Sequence, residues 1–283
     1  MWKWWRAVLL GAGLGAGLGV LGLRALLRRQ AAIARRLIGK PLGEQALDAD
    51  RVWRPELGSP WHLVVLGDSI AAGLGADKPK HTLGARLAKG LAKASGRAVR
   101  LTTLARVGAE SSDLAAQLAR LPSVAPVDVA VIVVGGNDLT HRVPIADSVA
   151  ALRAAIDELR HRGAEVVVGT CPDLRAVSPV PQPLRSLGSR AARQLAAAQQ
   201  AAALAAGARA VSLAAVAGPF FEAAPDEMFS VDRFHPSSAG YRRTAKAMLP
   251  SVLAAVGDEQ PDRFGHHAPG AETAPVETSQ RRR

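Results

Sequence analysis

The chain has 283 residues, 48% of them hydrophobic and 4% aromatic, with a formal charge of +12 and one cysteine. That length and apolar content suit one α/β domain with extra segments at its ends, and they exclude a collagen-like or disulfide-scaffolded chain. A single cysteine cannot form an intramolecular disulfide, and Cys171, which closes an apolar stretch, reads as a small buried residue. The basic excess reads as solvated arginine plus attraction to an anionic surface. No nucleic-acid-binding module accompanies it, so lipid rather than nucleic acid is the expected partner.

In chain order, residues 7–23 carry no charge and follow Trp2, Trp4 and Trp5. With Leu26 and Leu27 the run reaches about the 20 residues that a bilayer span needs, and the tryptophans stand where interfacial aromatics would. Residues 1–27 are therefore expected to form a single uncleaved membrane anchor. A signal peptide cleaved after Ala32-Ile33-Ala34 is the rival, weakened by the intervening Arg28 and Arg29. The arginines after the run outnumber the charges before it, which places the rest of the chain in the cytoplasm by the positive-inside rule, with export as the alternative. Gly17 to Gly22 also matches G-x-G-x-x-G, but inside a hydrophobic run with no βαβ unit the match has no nucleotide-binding meaning.

Residues 28–60 read as a basic linker. Regular alternation then begins. Strands are expected over 62–66, 98–105, 128–134, 165–170 and 208–213, and helices over 82–95, 112–121, 145–162, 184–206 and 237–255. Near-continuous apolar strands belong to a parallel sheet covered on both faces, so residues 61–256 are expected to form a three-layer α/β/α domain with five parallel strands. The polar tail from 257 to 283, with Pro261, Pro269 and Pro275, is expected to be disordered.

Four blocks carry chemistry. Gly67-Asp68-Ser69 follows the first strand, where a serine hydroxyl can project into the crevice at the sheet's C-terminal edge. The helix start that follows offers free N–H groups to a developing oxyanion. Gly108 follows the second strand and permits a backbone N–H to approach a substrate oxygen. Asn137, in Gly135-Gly136-Asn137-Asp138 after the third strand, supplies an amide donor. Near the C-terminal end, Asp232-Arg233-Phe234-His235-Pro236 puts a carboxylate and an imidazole on one loop, and such a pair can activate a serine.

Together these blocks resemble the SGNH hydrolase family, the GDSL-type esterases and lipases, over residues 62–256. The resemblance implies a flavodoxin-like strand order, with Ser69 as nucleophile, His235 as base and Asp232 as its orienting acid. The oxyanion hole would be made by the N–H groups of Ser69 and Gly108 and the side chain of Asn137. The second block departs from the family pattern: Ala105-Arg106-Val107 precede Gly108, and Glu110 follows closely, where it would disfavour an anionic substrate. The activity implied is hydrolysis of a small-molecule or lipid carboxylic ester through an acyl-enzyme. The alternatives are deacetylation of, or acyl transfer to, a glycan, or an inactive membrane-tethered binding module. Neither a cofactor nor a metal is expected, because the remaining histidines lack metal-ligand spacing. Residues 172–185, with four prolines, are expected to form a fixed, irregular lip beside the site.

Overall fold

The computed structural model describes residues 21–122, 126–258 and 263–270. The uncharged run expected to anchor the chain lies almost entirely outside these residues. Among the described residues, no helix is long and apolar enough to cross a membrane.

The described chain begins with helix α1, residues 21–38, then β1 (Val52–Trp53) and β2 (Trp61–Gly67). Next come α2 (Ser69–Ala72), α3 (Leu83–Ser95), β3 (Val99–Thr103), α4 (Leu114–Leu118) and β4 (Val129–Val133). They are followed by α5 (Gly136–His141), α6 (Ile145–His161), β5 (Glu165–Gly169), α7 (Leu184–Ala205) and β6 (Arg209–Val211). Three short helices, α8 (Leu213–Val216), α9 (Gly218–Ala223) and α10 (Pro225–Met228), precede α11 (Ser238–Ala255) and β7 (His266–His267).

These strands make one sheet in the order β1-β3-β2-β4-β5-β6-β7. The five inner strands are parallel, as the apolar runs predict. Their side chains divide by the period of two. Leu63 and Val65 face a core shared with Leu87 and Leu91 of α3 and Tyr241 and Met248 of α11. Val64 and Leu66 face the opposite core, with Leu114 and Leu118 of α4 and Leu152, Ile156 and Leu159 of α6. Burial on both faces is why β4 and the centres of β2 and β5 are wholly apolar, whereas β3, with Arg100 exposed and Thr102 and Thr103 half-buried, keeps polar residues.

Three expectations need correction. The sheet has seven strands, not five, because β1 and β7 add antiparallel edges of two residues each. Those edges carry the domain past both expected limits, 61 and 256. The region from 257 is therefore not uniformly unstructured, since β7 pairs Val211 with His266 and Ala210 with His267. The region read as a linker from residue 28 begins as helix, up to residue 38. That helix docks through the buried Gln30, whose side chain donates to the Gln182 carbonyl and accepts from the Leu184 N–H.

The strand order puts the switch in winding direction between β2 and β4, because the chain runs from β2 outward to β3 and returns to β4 on the other side. The crevice at such a point is where open α/β sheets receive ligands. Ser69 follows β2, and Asn137 follows β4.

Candidate active site

Ser69 is the first residue of α2 and is nearly buried. It reaches this position because β2 ends in a glycine at φ 128°, and a Cβ there would lie 1.8 Å from the Val133 carbonyl oxygen of β4. No side chain fits between the two strands. Gln117 of α4 fixes the same glycine from the other side, accepting from its N–H at 2.9 Å and donating to its carbonyl at 2.8 Å. Asp68 then caps α2 by accepting the Ile70 N–H at 2.9 Å. The buried hydroxyl of Tyr241, donating to the Leu74 carbonyl at 2.7 Å, ties the following turn to α11.

His235 and Asp232 arrive from the loop before α11. The loop folds tightly because Arg233 adopts a left-handed φ of 55° and donates its N–H to the Ser230 carbonyl. The Asp232 carboxylate accepts the N–H groups of Phe234 and His235, both at 3.0 Å, on one oxygen. Its other oxygen lies 2.6 Å from His235 Nδ1, and His235 Nε2 lies 2.9 Å from Ser69 Oγ. Phe234 meets the imidazole edge-on, with ring centroids 4.9 Å apart. The three-residue spacing that pointed to an acid and a base on one loop thus yields a continuous Ser–His–Asp chain.

Burial opposes ionisation of Asp232. Its hydrogen bonds from His235 and from two backbone N–H groups outweigh that, so the carboxyl sits below its ordinary range. Asp68 shows the reverse balance. Burial raises it to about 6, against hydrogen bonds from the Ile70 and Gly136 backbone and the charge of His235. Burial also pushes the Cys171 thiol up, which accords with a small apolar packing residue rather than a reactive thiol.

On the far side of the crevice Asn137 Nδ2 donates to the Ala109 carbonyl at 2.9 Å, which leaves its second N–H uncommitted. Among the described residues, no acceptor pairs with the N–H of Ser69 or of Gly108. Gly108 adopts φ 81° beside Ala109 but does not line the cavity. Glu110 lies 2.6 Å from His141 Nδ1 at the surface, so its charge is partnered when His141 is protonated.

Several supports were not legible as functional. Asp138 is buried and accepts the Ser111 N–H and the Ser148 hydroxyl, binding the loop after Gly108 to α5 and α6. Gln199 of α7 accepts the Cys171 N–H at 2.7 Å and donates to the Val134 carbonyl at 2.9 Å. The one available signal was a glutamine among alanines on a helix face that otherwise turns inward. Ser69, His235 and Asn137 border a cavity of about 90 Å³. Its apolar wall is built from Leu174, Val177, Leu213, Phe221, Phe229 and Phe234. The proline-rich lip expected from the sequence does stand beside the site. Among the described residues, no three His, Cys, Asp or Glu side chains are grouped as a metal site would require.

A buried Ser–His–Asp chain at the switch point of a parallel α/β sheet defines a serine hydrolase. Residues 65–243 match the model of the GDSL-like lipase/acylhydrolase family, and the chain belongs to that family. It is a carboxylic ester hydrolase. The GDSL-like esterase Rv1075c of Mycobacterium tuberculosis is 39% identical over 250 residues, which span 84% of this chain and 79% of that protein. Two solved structures show the same fold at lower identity. The acetylxylan esterase Axe2 of Geobacillus stearothermophilus has a TM-score of 0.52 at 20% identity, covering 74% of this chain and 100% of that one. TesA has a TM-score of 0.54 at 24% identity, covering 69% and 99% respectively.

Proposed function

We propose that the chain cleaves carboxylic esters through an acyl-enzyme on Ser69. The observation that carries this is the pair of contacts at 2.9 Å and 2.6 Å linking Ser69 to His235 and His235 to Asp232. Ser69 Oγ attacks the ester carbonyl carbon while His235 Nε2 takes the hydroxyl proton. The tetrahedral oxyanion accepts hydrogen bonds from the Ser69 N–H, the Asn137 side chain and the Gly108 N–H. His235 then returns the proton to the departing alkoxide, leaving the acyl group on Ser69. Water repeats the sequence, giving up a proton to His235, and the acid leaves as Ser69 regains its hydrogen. Asp232 stays ionised and holds Nδ1 protonated, so that Nε2 faces the serine as a base. The narrow apolar cavity supports a small acyl group as its occupant.

A fluorophosphonate probe should label the protein at Ser69 alone, and Ser69→Ala should abolish labelling. Labelling that persists in the variant would assign the nucleophile elsewhere.

The reading extends to location. The uncharged run from Ala7 to Leu23 supports a membrane anchor, and Arg24, Arg28, Arg29, Arg35 and Arg36 after it support a cytoplasmic hydrolase domain. The full-length chain should then stay with membranes through a high-salt wash and survive protease added to intact spheroplasts. Recovery in the soluble fraction would sink the anchor, and digestion would reverse the orientation.

A further inference from the structure

Behind the lip, on the start of α7, lies a second recess of about 170 Å³ lined by Arg175, Gln182, Arg185, Ser186, Ser189 and Arg193. Three guanidinium groups share it. The carboxylate fixed among them is Asp173, whose side chain is largely buried. Its oxygens are occupied by the Ser189 hydroxyl, the Arg175 N–H at 3.0 Å and Arg193 Nη1 at 3.0 Å. Held on three sides, Asp173 cannot swing to neutralise Arg185. Arg175 approaches Asp173 and Glu222 only at 3.9 Å. Arg185 makes no ion pair among the described residues, and Arg193 spends only one of its nitrogens.

The surroundings add to the positive field. Helix α1 is fastened to this corner through Gln30, on the Gln182 carbonyl and the Leu184 N–H. It carries Arg28, Arg29, Arg35 and Arg36, all exposed and none ion-paired among the described residues. The N–H groups of the first turn of α7 are already used by Gln30, Pro181 and Gln182, so the recess is a side-chain feature and not a bare helix end. A guanidinium presents paired donors in a fixed fork that matches the edge of a phosphate, and converging forks at a partly enclosed site favour such an anion.

We propose that this recess binds a phosphate-type oxyanion, carried either by a soluble phosphorylated molecule or by a phospholipid headgroup. Its position ties it to the ester site. Asp173 and Glu222, which hold the arginines, also line the cavity beside Ser69, so occupancy on one side of the lip bears on the shape of the other. The proposal does not depend on the identity of the nucleophile.

The test uses the full-length protein and three forms: wild type, Arg185→Gln and, as a charge-matched control, Arg190→Gln. Arg190 is exposed on α7 outside the recess. Arg185 has no side-chain partner among the described residues, so its replacement should fold normally. Inorganic phosphate is titrated at constant ionic strength against chloride, with thermal unfolding as the readout. For a soluble ligand, the melting temperature of wild type and Arg190→Gln rises saturably. In Arg185→Gln the apparent affinity falls about tenfold or more, the loss expected for a charge-assisted contact. For a headgroup ligand, phosphate leaves all three unchanged. Wild type and Arg190→Gln then sediment more with phosphatidylglycerol vesicles than with phosphatidylcholine vesicles, and Arg185→Gln loses that excess. No saturable response in either series, or equal losses in Arg185→Gln and Arg190→Gln, would overturn the site and leave only diffuse surface charge.

Discussion

The described residues include two clusters of Ser, His and Asp, and of these two only one is wired as a relay. In the first, His235 stands between its partners, with Nδ1 on Asp232 and Nε2 on Ser69. In the second, His81 uses the same ring atom, Nδ1, toward both Asp77 at 2.6 Å and Ser238 at 3.2 Å. There Ser238 donates directly to Asp77, so the serine proton is committed to the carboxylate and no base waits for it. Environment separates them further. Asp232 is buried, whereas Asp77 is largely exposed, and its hydrogen bonds from Ser238 and His81 lower it to about 2. Residue types alone therefore do not make a catalytic site. The imidazole must lie in series between acid and alcohol, in a place where water cannot take over either contact.

The largest break between the clusters should come at the histidines. His235→Ala is expected to lower kcat on a p-nitrophenyl ester by about 10⁴-fold or more, since a nucleophile without its base loses most of its reactivity. His81→Ala should stay within about threefold of wild type, because it removes only an exposed surface contact. Comparable losses in both variants would mean that the outer cluster takes part in turnover.

A smaller effect sharpens the contrast at the oxyanion. Among the described residues, no amide side chain lines the recess at Asp77 and Ser238, whereas the inner cluster has an amide across the crevice with a spare N–H. Asn137→Ala should reduce kcat by roughly 10²–10³ while leaving the serine reactive toward the fluorophosphonate probe. A kcat that stays at the wild-type level would remove Asn137 from the mechanism.

The smallest expected effect is on stability and its dependence on pH. Asp68 is raised from an ordinary value of 3.8 to about 6 in the folded protein. The native state therefore holds this proton more tightly than the unfolded chain does. The resulting stabilisation is full below pH 3.8 and is lost as pH rises through about 6. Asp68→Asn cannot titrate, so its unfolding free energy relative to wild type should grow by about 2 kcal/mol between pH 4 and pH 7, as followed by urea denaturation. The exposed Asp77, whose shift has the opposite sign and lies near pH 2, should give no comparable trend in that window when changed to Asn. Parallel curves for wild type and Asp68→Asn would show that burial does not control Asp68.

What the amino-acid sequence determined by itself was the parallel core and the residue types that fold into the Ser–His–Asp chain. Strands buried on both faces must be almost wholly apolar, so β2, β4 and β5 are visible as runs, and helices such as α6, α7 and α11 are visible between them. The motif blocks were equally legible, because a strand end followed by Gly-Asp-Ser and a loop holding Asp and His three residues apart are local patterns. Tertiary structure decided the rest. Strands β1 and β7 have two residues each, too few to show any period, and exist only because β3 and β6 offer them an edge. Gln117, Asp138 and Gln199 look like ordinary polar residues until folding brings the Gly67, Ser111 and Val134 backbones against them. The two serine clusters carry the same three residue types. Which histidine came to lie in series with its serine was settled by partners 166 residues apart meeting across the sheet edge, a distance over which no local pattern carries information.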